Sequence, residues 1–191
     1  MSATFPDMLK KELSFLNAQE LIPKSLLLSE YSKRRRTKIV PSTSFVNQNL
    51  DSILQYYKEG KKILVVMNTV SRAQKTFLLL QGLMQQNKYP LQDLLLIHSR
   101  FTFRDRRNLE RRIFGYPRIV VATQVTEVSL DIDYDILFTE ACYWDSLIQR
   151  AGRINRYGKL GNDGEGLVNV FLPEGDPPYD PAMLKNSVEL I

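Results

Sequence analysis

The chain has 191 residues, of which 43% are hydrophobic, 10% aromatic and 25% charged, the proportions of an ordinary globular domain, so a disordered tail or fibrous repeat is excluded. At roughly 100 to 200 residues per domain it is one domain with at most an appendage, too small for a two-domain motor. The 26 Lys and Arg against 21 Asp and Glu leave a formal charge of +5, which permits a polyanionic partner without establishing one.

Along the chain, Phe5 to Leu16 reads as a helix. Residues 17–36 are mixed and end in the basic run Lys33, Arg34, Arg35 and Arg36, as expected of an arm or linker, with the compact domain beginning near Lys38. Five short runs rich in Val, Ile and Leu follow: Lys62 to Met67, Asp93 to Ile97, Arg118 to Ala122, Asp135 to Thr139 and Leu167 to Leu172. They read as buried parallel strands. Between the first two, Ala73, Phe77, Leu80 and Met84 fall at helical spacing, with Ser71 placed to cap the helix start. Between the next two, Arg104 to Phe114 is a strongly basic helix with Leu109 and Ile113 on one side. Alternating strand and helix predicts an α/β fold: a doubly wound, mostly parallel sheet with helices on both faces. Residues 158–166 read as a glycine-rich loop, 173–181 as a Pro/Asp/Gly segment and Met183 to Ile191 as a final helix.

Cys142 and His98 are single examples of their kinds, so neither a disulfide framework nor a Cys/His zinc site can be built. The apolar runs are far shorter than the ~20 residues of a membrane span. No positively charged segment precedes an apolar one at the start, so a secretory signal is not supported and a cytoplasmic location is expected.

In an open α/β sheet ligands sit beyond the carboxyl ends of the strands. There the first run leads into Asn68-Thr69, the second into His98-Ser99-Arg100 and the third into Thr123-Gln124-Val125-Thr126. Hydroxyls, amides, helix-start N–H groups and an arginine on one rim suit a phosphodiester backbone. Taken singly, Asn68, Thr69 and Ser71 serve equally as helix caps and Thr123 as a turn residue. Arg100 suits a phosphate contact or a surface salt bridge. His98 lacks metal-site partners and reads as structural.

The sharpest feature is Gln149-Arg150-Ala151-Gly152-Arg153-Ile154-Asn155-Arg156. On a continuous helix Gln149, Gly152, Arg153 and Arg156 share one stripe, with Leu147, Ile148, Ala151 and Ile154 largely on the other side. Gly152 would let another surface approach closely. Two guanidiniums and an amide suit a triphosphate, the alternative being a solvated basic helix. Asp131 could accept a ribose hydroxyl or order a water near a metal, or be a turn carboxylate or cap.

Read together, these residues resemble the second RecA-like domain of a superfamily 2 helicase. Residues 122–132, Ala-Thr-Gln-Val-Thr-Glu-Val-Ser-Leu-Asp-Ile, are similar to motif V, and Gln149 to Arg156 matches the Q-x-x-G-R-x-x-R of motif VI. Ile63 to Met67 with Asn68-Thr69 and Arg72-Ala73 is similar to motif IV. The turn His98-Ser99-Arg100-Phe101, combined with Glu127 to Asp131, narrows the resemblance to the CRISPR-associated helicase-nuclease of type I systems, over roughly Lys38 to Pro173.

The resemblance implies that Arg153 and Arg156 act on the ATP γ-phosphate with Gln149 and Gly152 beside them, and that Asp131 lies toward the ribose. Asn68, Thr69, Ser99, Arg100, Thr123 and Thr126 would contact single-stranded DNA, RNA not being distinguished. ATP and Mg²⁺ would be held mainly by a first RecA-like domain, and the further partners would be an HD nuclease and a CRISPR surveillance complex. Ser2-Ala3-Thr4 is similar to motif III, so residues 1–37 are expected to be a remnant of that first domain plus linker, and 38–191 the second domain. The chain lacks G-x-x-x-x-G-K-[ST] and an Asp-Glu pair, and one histidine cannot furnish the HD nuclease. By itself it is therefore expected neither to hydrolyse ATP efficiently nor to cut DNA. The competing expectation is a non-catalytic nucleic-acid-binding or protein-interaction module that retains the fold. A small-molecule enzyme is disfavoured, because no nucleophile has an evident adjacent base.

Overall fold

The computed structural model describes residues 36–101, 103–115, 117–128, 131–158 and 164–175. The expected helices over Phe5–Leu16 and Met183–Ile191, and the Ser2-Ala3-Thr4 segment, lie outside the described residues. In chain order the elements are β1 (Thr37–Phe45), α1 (Leu50–Lys58), β2 (Ile63–Val66), α2 (Val70–Gln86), β3 (Leu94–Ile97), α3 (Phe103–Phe114), β4 (Ile119–Ala122), α4 (Val125–Val128), β5 (Ile136–Glu140), α5 (Trp144–Ala151) and β6 (Gly166–Leu172). The strands form one sheet in the order β1-β6-β5-β2-β4-β3, and every pairing is parallel.

The sheet forms from these runs because both of its faces are covered, so a strand needs no polar alternation. Ile63, Val65 and Met67 join a core with Ile53 and Leu54 of α1 and Leu80 and Met84 of α2. Leu64 and Val66, pointing the other way, join Ile113 of α3 and Leu147 of α5. This is the doubly wound, parallel α/β arrangement expected from the alternation of strand and helix.

Two local expectations are corrected. Thr69, not Ser71, caps α2: Thr69 is extended (φ −133°, ψ 153°) and its Oγ1 accepts the Arg72 N–H at 3.3 Å. Ser71 is already helical and exposed. The second correction is β1, a strand where the sequence suggests a junction between arm and domain, because Pro41 and the hydroxyl run Ser42-Thr43-Ser44 interrupt its apolar pattern. Proline is tolerated there because β1 ends the sheet, pairing only with β6, and the register shifts between Pro41 and Phe45. Among the described residues no helix is long and apolar enough to cross a membrane.

Candidate functional site

With all strands parallel, the residues after β2, β3, β4 and β5 lie along one rim. Backbone groups there leave the sheet ladder and need new partners, and much of the rim chemistry is spent on them. Asn68 is buried: its N–H donates to Glu140 Oε2 at 2.7 Å, its Nδ2 to the Ala141 carbonyl at 2.8 Å, and its Oδ1 accepts from Arg150 Nη1 at 3.1 Å. Thr126 is buried and donates to the Thr123 carbonyl at 3.3 Å, and Thr123 is itself buried. For Asn68 and Thr126 this corrects the expectation of a side chain open to a nucleic acid strand: they brace the rim from within. Thr69 is the α2 cap. Ser99 and Arg100 are exposed.

His98 explains why those two face outward. It is buried, stacks on Phe101 with centroids 4.2 Å apart, and its Nδ1 accepts the Arg100 N–H at 3.3 Å. Burial first, then the Arg100 charge, lowers its pKa, so the neutral imidazole is the form that fits. His98 holds the turn and leaves Ser99 and Arg100 at the surface.

The arginine segment differs from the expected stripe. Helix α5 stops at Ala151 with Gly152 as its C-cap; Gly152 N–H donates to the Ile148 carbonyl at 2.8 Å. Gly152 is exposed, and a Cβ there would meet the helix's own Ile148 and Gln149 carbonyls at 3.3 and 3.4 Å. Beyond it Ile154 bridges Tyr134, and Asn155 takes the left-handed φ of 46°. The segment lies across the start of β6, where a Cβ on Gly166 would collide with Ile154 and Asn155. Arg153 and Arg156 thus sit on a turn beyond α5, not on one helical stripe with Gln149.

Each of the three is half-buried. The Gln149 amide has no partner among the described residues. Arg153 donates from Nε to the Thr126 carbonyl at 2.9 Å and from Nη2 to the Glu127 carbonyl at 2.6 Å, which ties it to α4 and leaves Nη1 without a partner among the described residues. Burial and then the Arg156 charge pull its pKa below the ordinary arginine value, with Asp131 and Tyr157 opposing. Arg156 Nε lies 3.4 Å from Asp131 Oδ1, with side chains 37% and 64% exposed, and so open a pair is worth only about 0–1 kcal/mol. Asp131 also accepts from Tyr157 Oη at 2.8 Å, and the Arg156 N–H donates to Asp133 Oδ1 at 2.8 Å. The arrangement is a cationic surface whose Arg156 contact is cheap to exchange for an anion's oxygens.

Arg150 was missed by sequence reasoning. It is fully buried, with Nε on Glu127 Oε1 at 2.9 Å and Nη1 on Thr139 Oγ1 at 2.8 Å, Asn68 Oδ1 at 3.1 Å and the Glu140 carbonyl at 3.2 Å. It joins the ends of β2 and β5 to α4, so that Glu127 meets Arg150 through its carboxylate and Arg153 through its carbonyl. Its place one turn after the buried Leu147 put it on the buried side of α5, and that signal was available. A cleft of about 300 Å³ opens between β1 and α5 with Trp144, Ile148, Gly152 and Arg156 on its wall; Gln149, Arg153 and Asp131 do not line it. Among the described residues no group of His, Cys, Asp or Glu side chains is placed to hold a metal ion.

Residues 59–159 match the family model described as CRISPR-associated nuclease/helicase Cas3, C-terminal. A Methanocaldococcus jannaschii protein named as a CRISPR-associated nuclease/helicase Cas3 is 34% identical over 158 residues, covering 76% of this chain and 21% of the relative. The CRISPR-associated endonuclease/helicase Cas3 of Escherichia coli is 34% identical over 139 residues, covering 66% and 15%. The crystal structure of T. fusca Cas3 with ADP superposes with a TM-score of 0.71 at 27% identity, covering 82% of this chain and 22% of that one. A chain of a CRISPR RNA-guided surveillance complex in a pre-nicking state gives 0.63 at 25%, covering 82% and 22%. This chain therefore spans only about a fifth of the length of such relatives. Residues 59–159 take in the ends of β2 to β5 and the arginine turn, and the chain belongs to the Cas3 C-terminal helicase-domain family.

Proposed function

We propose that this chain is the second RecA-like half of an ATP-dependent superfamily 2 helicase of the CRISPR-associated type. ATP and Mg²⁺ sit mainly on a first RecA-like domain, which contributes the metal ligands. Closure brings Arg153 and Arg156 to the γ-phosphate, with Gln149 and Gly152 beside it and Asp131 toward the ribose. Ser99 and Arg100, with backbone groups near Thr69, Thr123 and Thr126, contact single-stranded DNA, while Asn68 braces them. The observation that carries this reading is the Gln149 amide and Arg153 Nη1, which have no partners among the described residues, with Arg153 within electrostatic reach of the exchangeable Arg156–Asp131 pair. That donor set fits an anion, and bound ATP supplies the phosphoryl group whose transfer charge such guanidiniums stabilise. The partners are the first domain, an HD nuclease and a surveillance complex, a relation supported by the superposition on the surveillance-complex chain.

A second reading is a non-catalytic binding module. The docking of Arg153 on the Thr126 and Glu127 carbonyls favours it, because the guanidinium is already engaged. Supplying the first RecA-like domain in trans separates the two. Recovery of ATP hydrolysis stimulated by single-stranded DNA supports the helicase half; continued inactivity with salt-sensitive strand binding supports the module.

A further inference from the structure

We infer that the outer face of α3 is a second, sequence-independent contact for the phosphate backbone of a nucleic acid strand, leading away from the rim along the flank of the domain. This rests on the reading of the rim as strand-binding. Helix α3 carries five arginines against Asp105 and Glu110, a surplus of three out of the chain's +5. Leu109 and Ile113 face the core, so by helical spacing Arg107 and Arg111 fall on the opposite side. Arg107, Arg111 and Arg112 are exposed, and their side chains make no hydrogen bond or ion pair among the described residues.

The helix dipole explains a basic last turn, so Arg111 and Arg112 alone would be unremarkable. It does not explain Arg107 in mid-helix, which faces Arg111 one turn on and repels it, nor Arg100 exposed just before the helix. The placement is also continuous. Helix α3 starts immediately after the Ser99-Arg100 turn and packs on β3, the end strand of the sheet. At about 1.5 Å per residue it extends the rim's positive charge by roughly 18 Å. The described face offers charge without aromatic rings, which is chemistry for phosphates rather than for bases.

The test is binding of the 191-residue chain to a fluorescently labelled oligothymidylate, followed by anisotropy across a salt series. With about 0.7 of slope per neutralised single-strand phosphate, R107Q/R111Q should flatten log K against log salt by about 1.4, and R107K/R111K should restore it. An unchanged thermal midpoint shows that the domain is folded, as expected for exposed positions. If R107Q/R111Q keeps the parent slope while R100Q lowers it, the α3 inference fails and the proposed function stands. If the parent chain shows no salt-sensitive strand binding, both fail. If R107Q/R111Q loses binding to polyglutamate but not to the strand, the face serves an acidic polypeptide and the inference is overturned.

Discussion

Replacing Arg150 with methionine tests whether the buried cluster organises the site. Arg150 is 0% exposed, and its Glu127 partner has a side chain only 10% exposed. Arg150→Met keeps most of the side-chain volume but removes the charge, and Ser146 Oγ at 3.3 Å is then the hydrogen-bond donor that the Glu127 carboxylate retains among the described residues. Asn68 Oδ1 and Thr139 Oγ1 each lose a donor as well. Breaking one side of a buried ion pair costs about 3–5 kcal/mol. At about 2–4 °C per kcal/mol for a chain of this size, the thermal midpoint should fall by roughly 6–20 °C. Adding Glu127→Gln removes the orphaned charge, so the double variant should be less destabilised than the sum of the singles by about 0.5–3 kcal/mol. Circular dichroism melts of the four proteins measure both quantities. A midpoint within about 2 °C of the parent for Arg150→Met, corresponding to less than about 1 kcal/mol, would refute the reasoning.

Gly166→Ala should destabilise the domain by about 1–3 kcal/mol in denaturant titrations, since its Cβ has no room beside Ile154 and Asn155; an unchanged midpoint would mean that the turn carrying Arg153 is not seated on β6. His98 has a folded pKa below the ordinary 6.5, so between those two values the unfolded chain binds a proton that the folded chain refuses. Stability should therefore fall as pH drops below 6.5, and His98→Gln should lose that part of the dependence. Identical pH–stability curves for the two proteins would contradict the brace assigned to His98.

How legible the molecule was in its sequence follows from what each residue is near. The runs at β2, β4 and β5 could be read because strands buried on both faces are dominated by apolar residues. The strand β1 could not, since at the sheet's end its proline and hydroxyls mimic a linker. The residue types of the candidate site were visible, but their geometry was not. Ile154 continues the apolar period past Gly152 by coincidence, packing through a one-residue bridge to Tyr134 instead of a further helical turn. The buried state of Asn68 and Thr126 also escaped the sequence, because the groups that surround them come from β5, α4 and α5, distant from Asn68 in the chain. Arg150 was hidden by its charge: an arginine among arginines reads as surface until Glu127, supplied by another element, is placed against it.

The central claim is that Arg153 acts on a nucleotide presented by the first RecA-like domain. Single-turnover ATP hydrolysis in the two-domain assembly with single-stranded DNA, comparing Arg153→Ala with the parent, measures this directly. The predicted result is a loss of about 10³ to 10⁵ in rate with strand affinity unchanged. Equal rates in the two proteins would contradict it.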